Sequence, residues 1–146
     1  MRKSFRGIIA DDGEVRIRLG TVKGKMGYQI VKFQLLPNDP SGSSAESIVK
    51  IYDKSLGSTL PTSVIDFTES DLLAVAYYSG GSGASSPQDM VVIFDNQIFN
   101  QDIFISHNDN SSAPAPTNFY LELELHPLTD QGAEYTTLRD IRTQKQ

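Results

Sequence analysis

Alternation constrains this chain more than any other feature: along much of its length, apolar and polar residues exchange places at every second position. A period of two sends successive side chains to opposite faces of an extended strand, whereas a helix repeats its apolar positions every three or four residues. Phe119, Leu121, Leu123 and Leu125 alternate with Tyr120, Glu122 and Glu124, and Val15, Ile17 and Leu19 alternate with Arg16 and Arg18. Residues 28–36 repeat the pattern, with Val31, Phe33 and Leu35 separated by Lys32 and Gln34. Further strands are expected over residues 47–53, 64–67, 72–78, 90–94 and 102–106. Residues 2–9 and 14–19 flank Asp11-Asp12-Gly13 and read as a basic N-terminal hairpin or arm within residues 1–25.

Each alternating strand must bury one face, and a second sheet is the simplest cover. Eight or nine short strands spaced by turns predict one all-β domain over residues 1–146. The expected form is an antiparallel β-sandwich, jelly-roll-like, with strand order left open. A short C-terminal helix or tail is expected over 129–146. Asp130 is its N-cap, Tyr135, Leu138 and Ile141 recur at a spacing of three, and Arg139 and Arg142 lie near its end. Three loops, 37–47, 79–88 and 107–117, are small and polar. Counting residues 64–78 as one bent strand puts all three at the same end of the sandwich; counting two strands separates them. Their Gly, Ser and Pro content favours connectors over binding loops.

At 146 residues the chain suits a single core, burying roughly two-thirds of its unfolded surface. It has no cysteine, which excludes disulfides, thiolate metal sites and a Cys nucleophile. No apolar run reaches the length of a secretory leader or a spanning helix, so a soluble chain is expected, with no membrane partner. The net charge of −5 is unevenly spread: residues 1–25 hold seven Lys/Arg against three acids, and the rest holds six against fifteen. The basic segment suits docking on an acidic surface, its own or a neighbour's, or is simply a solvated hairpin. A pI near 4.9 disfavours nucleic acid as a partner.

Catalytic chemistry is thin. His107 and His126 are the only histidines, no Gly-x-Ser-x-Gly elbow exists, and the glycines at 80–83 lack the Lys-Ser/Thr ending of a phosphate loop. Asp95, Asp102 and His107-Asn108-Asp109-Asn110 offer oxygen ligands without the spacing of a calcium loop, so turn formation explains them better. Glu122 and Glu124 share a strand face, and solvent-facing alternation accounts for them. No enzyme activity, metal or cofactor is predicted. Contact residues are the stronger lead. Tyr77, Tyr78 and Tyr120 combine an apolar ring with a polar tip, suited to sugar stacking or protein contact. Ile98 and Phe99 interrupt a polar connector, so they either plug the sandwich or protrude into a neighbour. The basic strand adds Arg2, Lys3, Phe5 and Arg6, and the tail adds Arg139 and Arg142.

Residues 90–105 (Met-Val-Val-Ile-Phe-Asp-Asn-Gln-Ile-Phe-Asn-Gln-Asp-Ile-Phe-Ile) and parts of 118–143 (Asn-Phe-Tyr-Leu-Glu-Leu-Glu-Leu and Tyr-Thr-Thr-Leu-Arg-Asp-Ile-Arg-Thr) resemble small virion proteins of marine tailed bacteriophages. The resemblance implies a capsid decoration, or cement, protein located in the virion. Its partner is then the major capsid protein, and it self-associates as a dimer or trimer. It carries no functional residues across. The rival expectations are a carbohydrate-binding or adhesin-like module using Tyr77, Tyr78 and the loops, and a tail or baseplate component.

Overall fold

The computed structural model describes residues 1–19, 26–39, 45–80, 88–94 and 98–128, together with Leu138 and Ile141. These residues form eight strands: β1 (Arg2–Ile9), β2 (Glu14–Ile17), β3 (Met26–Pro37), β4 (Ala45–Tyr52), β5 (Leu72–Gly80), β6 (Gln88–Ile93), β7 (Ile103–Asp109) and β8 (Thr117–Pro127). They assemble into two antiparallel sheets, ordered β1-β8-β3 and β2-β7-β4-β5-β6. The all-β sandwich expectation holds at this level.

One core lies between the sheets. Directly opposed residues in an antiparallel pair project to the same side. The register therefore puts Phe5, Leu121 and Phe33 in one inward row, with Gly7, Phe119 and Leu35 in the next. The other sheet answers with Val49, Ile51, Leu73, Ala74, Ala76, Ile103 and Ile105, all buried. Each large apolar side chain enclosed this way is worth about 1.5–3 kcal/mol. Gly7 makes room for Phe119, since a Cβ there would stand 2.9 Å from the ring.

Two expectations need correction. The Asp11-Asp12-Gly13 turn forms, with Asp12 at φ 56° and Gly13 N–H donating to the Ala10 carbonyl, but its flanking strands are not a hairpin. β1 pairs with β8 and β2 pairs with β7, so the basic N-terminus crosses from one sheet to the other. Residues 64–67 are not a strand. Asp66 accepts from both the backbone N–H and the hydroxyl of Thr68, and this local Asx turn displaces extended pairing. The apolar run at 90–94 does form β6, yet as a sheet edge with Met90, Val91 and Val92 exposed. The helix expected over 129–146 lies outside the described residues apart from Leu138 and Ile141.

Because residues 64–67 add no strand, β5 follows β4 directly, and of the two loop arrangements left open the one with a common end is seen where the loops are described. Asn38 N–H donates to the Pro116 carbonyl, Ala45 pairs with Gly80, and Asn110 N–H donates to the Glu46 carbonyl. Asp109 organises this end. Burial pushes its carboxyl pKa up, but hydrogen bonds from the N–H groups of Ser111, Ala115 and Glu46 outweigh that and leave it below the usual carboxylate range.

Candidate functional site

The outer face of the three-stranded sheet divides into two halves. Its register gives four cross-strand rows: Arg2–Glu124–Gln29, Ser4–Glu122–Lys32, Arg6–Tyr120–Gln34 and Ile8–Asn118–Leu36. The first half is internally paired. Tyr120 donates its hydroxyl to Glu122 at 2.7 Å, and Arg2 stands 3.6 Å from the same carboxylate. His126 Nε2 bonds the Gln29 side-chain oxygen at 2.9 Å, and the Lys32 ammonium lies 5.8 Å from the Tyr120 ring centroid. The bond to Glu122 raises the Tyr120 hydroxyl pKa, because a phenolate would face that carboxylate.

The second half is a groove of about 800 Å³. The Arg6–Tyr120–Gln34 row forms one wall and Ile8–Asn118–Leu36 the other, with Gly7, Phe119 and Leu35 beneath. Asp89 enters from β6. Among the described residues the side chains of Arg6, Gln34, Asn118 and Asp89 make no hydrogen bond or ion pair.

The five-stranded sheet presents a different outer face. Residues 53–71 cross it, burying Tyr52, Leu72 and Val75, with Leu56 and Phe94 packed against them. Lys50 is enclosed beneath this segment and its ammonium donates to the Val64 carbonyl. Burial lowers its pKa, and the charge of Glu69 opposes that shift. Burial likewise raises the Tyr52 hydroxyl pKa, reinforced by Glu69 and Asp71. Above these anchors the segment turns its apolar residues outward: Leu60, Val64, Ile65 and Phe67 are 65%, 68%, 41% and 55% exposed. Phe67 meets Phe94 edge-on at 5.2 Å, which joins the segment to the exposed Met90 and Val92 of β6.

The sequence candidates are scattered over these surfaces. Arg2, Lys3 and Arg6 are exposed on β1, and Phe5 is partly buried against the core. Part of the N-terminal charge is answered within the chain, by Arg2 with Glu122 and by Arg16 with Asp102 at 2.5 Å. Tyr77 and Tyr78 are half-buried, Tyr77 opposite Met90 and Tyr78 opposite Asp89. Of the two outcomes expected for Ile98 and Phe99, the plug is realised. Phe99 is 1% exposed and stacks on Tyr28 at 6.3 Å, so it is a core residue and not an interface one. Ile98 packs over Gly27, where a Cβ would stand 2.5 Å from it. Arg139 and Arg142 lie outside the described residues.

The residues with catalytic or metal-binding chemistry are engaged structurally. His107 is fully buried, with Nδ1 3.1 and 3.2 Å from the Ile9 and Ala10 carbonyls and Nε2 3.1 Å from the Ser47 hydroxyl. Carbonyls only accept, so Nδ1 carries a proton. The ring thereby ties the end of β1 to β4 in the other sheet. Asp102 accepts from Arg16 Nε and Leu19 N–H. Among the described residues no group of three or more His, Asp or Glu is placed to hold a metal, and no helix is long and apolar enough to cross a membrane.

Sequence reasoning singled out neither the groove nor the apolar segment at 60–67. The signal available for the latter was residues 56–65, ten positions without a charge. A scan against protein-family models finds no match to this chain, and a search of curated proteins finds none either.

Proposed function

We propose that this chain is a non-enzymatic virion structural protein, a capsid decoration or cement protein that binds an assembled coat lattice and stabilises it. The observation that carries the reading is the apolar tract on the outer face of the five-stranded sheet, where Leu60, Val64, Ile65 and Phe67 run on through Phe94 to Met90 and Val92. Exposed apolar patches of this kind mark sites that another protein covers. The tract is also held in place from below, by the bond of Lys50 to Val64 and the cluster around Tyr52, so it is presented as a formed surface. The major capsid protein is the proposed partner, and self-association as a dimer or trimer belongs to the same proposal, as does a place in the virion. Stabilisation follows from mass action, since a protein that binds only the assembled lattice holds that state together.

We also propose that the sandwich is a jelly roll. A jelly roll places strand 8 between 1 and 3, and strand 7 between 2 and 4, with 5 beside 4. The observed order matches this for seven strands, while β6 pairs with β5 and also approaches β3.

Quantitative mass spectrometry of purified phage particles tests the function. A copy number equal to that of the coat protein, or a simple fraction of it, supports a lattice-wide cement. A few copies per particle point to the tail or baseplate, and absence from the particle overturns the proposal.

A further inference from the structure

We propose that the groove on the outer face of the three-stranded sheet is a saccharide-binding site, with Arg6, Gln34, Asn118 and Asp89 supplying hydrogen bonds and Tyr120 an aromatic ring. This goes beyond the lattice-binding proposal and uses mainly the other sheet, with Asp89 alone coming from β6.

The division of that face into two halves carries the argument. In the rows nearer Arg2, polar groups satisfy each other through Tyr120, Glu122, Arg2, Gln29 and His126. A guanidinium, two carboxamides and a carboxylate line the groove with no side-chain partner among the described residues. Together they offer both donors and acceptors, which suits a ligand whose groups also do both, as hydroxyls do. The single cation sits on β1 and the single anion on β6, so their charges are separated along the groove and its centre is uncharged. That pattern suits a neutral ligand.

The remaining surface is apolar in the manner a sugar ring requires. Ile8 and Leu36 are 54% and 58% exposed at either end of the Asn118 row, available to the C–H face of a pyranose. The hydroxyl of Tyr120 is bound two residues along its own strand, which fixes the ring while leaving it in the groove lining. The groove crosses the strands, so neighbouring contacts within one row lie about 4.8 Å apart from strand to strand. This spacing is close to the length of one pyranose unit and suits a short oligosaccharide laid from β1 towards β6.

Two other ligand classes fit less well. An extended peptide binds a sheet by adding a strand to a free edge. Here the groove passes over β8, whose backbone is already paired with β1 on one side and β3 on the other. A purely apolar ligand would strip water from four polar side chains and return no hydrogen bond.

The test is an amide-resolved NMR titration of the full chain with maltotriose, cellotriose and triacetylchitotriose, and with trialanine as the peptide control. Each is taken to about 10 mM, above the millimolar range of the weakest specific binding. At least one trisaccharide is expected to shift the amides of Gly7, Ile8, Leu35, Leu36 and Asn118 saturably, with no response to trialanine. Asn118→Ala and Gln34→Ala should each weaken binding at least about tenfold, equivalent to about 1.4 kcal/mol, while the rest of the spectrum stays unchanged. Silence from all three sugars, shifts mapping elsewhere, or equal binding of trialanine overturns the assignment. Because the readout involves no coat protein, failure here leaves the lattice-binding proposal untouched.

Discussion

Asp109→Asn isolates one buried carboxylate and the end of the sandwich that depends on it. In the wild type Oδ1 accepts from the N–H groups of Ser111 at 2.9 Å and Glu46 at 3.2 Å, and Oδ2 accepts from Ala115 at 3.0 Å. The amide keeps one acceptor oxygen and places an NH₂ where the other stood, so at least one backbone N–H faces a donor. A hydrogen bond to a charged group contributes about 1.5–3 kcal/mol, and those that persist weaken when the acceptor becomes neutral. The expected loss is therefore about 3 kcal/mol at pH 7, read from urea denaturation. Its pH dependence follows from the lowered carboxyl pKa of the folded state. A depressed carboxyl contributes stability that is fully present above its unfolded value of about 3.9 and disappears as pH falls through the folded one. Wild type loses this contribution in acid and the variant has none to lose, so the gap between them should narrow as pH falls below about 3.9. A gap that stays constant from pH 7 to pH 3, or one below about 0.5 kcal/mol at pH 7, refutes the assignment of that carboxylate as the organiser of the loops.

Three further outcomes follow from the packing. Leu121→Ala removes a fully buried side chain from the central strand of its sheet, and about 2–5 kcal/mol of stability should go with it in the same denaturation assay. Gly27→Ala puts a Cβ 2.5 Å from Ile98 and should cost about 1–3 kcal/mol, partly recovered when Ile98 is shortened to Ala in the same chain. Val64→Ser with Phe67→Ser alters exposed residues and should change stability by no more than the edge-on contact with Phe94, about 0.5–1.5 kcal/mol. The same double variant should nevertheless lose at least about tenfold in affinity for purified coat shells in a sedimentation assay, a step of about 1.4 kcal/mol.

What the sequence made legible was local, and what it hid was pairing. The alternation of Phe119, Leu121, Leu123 and Leu125 announces a half-buried strand by itself, and β8 follows it with Leu121 and Leu123 fully enclosed. The Asp11-Asp12-Gly13 turn was equally readable, since Asp tolerates positive φ. That β1 and β2 then part company depends on partners about a hundred residues away in β8 and β7, which no local pattern encodes. Val64, Ile65 and Phe67 have strand-forming side chains, yet Asp66 and Thr68 close a turn among them, and local hydrogen bonding wins over propensity where no sheet edge is offered. The groove was invisible for the same reason as the pairing. Arg6, Gln34 and Tyr120 form one row only after three distant segments have come into register. Tyr77 and Tyr78 drew attention by adjacency, while Tyr120, named with them, is the tyrosine that lines the groove.

The two proposed surfaces centre on opposite sheets and approach each other only at β6, which gives Asp89 to the groove and Met90 and Val92 to the tract, and that arrangement makes a joint prediction. Sheets in a sandwich pack about 10 Å apart, so a chain seated on a lattice by the tract around Val64 and Phe67 turns its three-stranded sheet, with the groove, away from the shell. Occupying one surface should leave the other open. A single groove binding a trisaccharide at millimolar strength does little alone, but a shell presents many copies at fixed spacing, and linked sites gain about 10²–10⁴ in avidity without any new contact. Coat shells carrying this chain should therefore remain on a surface grafted with the responding trisaccharide far longer than the free chain does, measured as dissociation rate by surface plasmon resonance. Shells carrying Asn118→Ala should wash off faster than shells carrying the wild type. Decorated shells that leave as fast as the free chain would mean that docking covers the groove, and the outward placement of the three-stranded sheet would then be wrong.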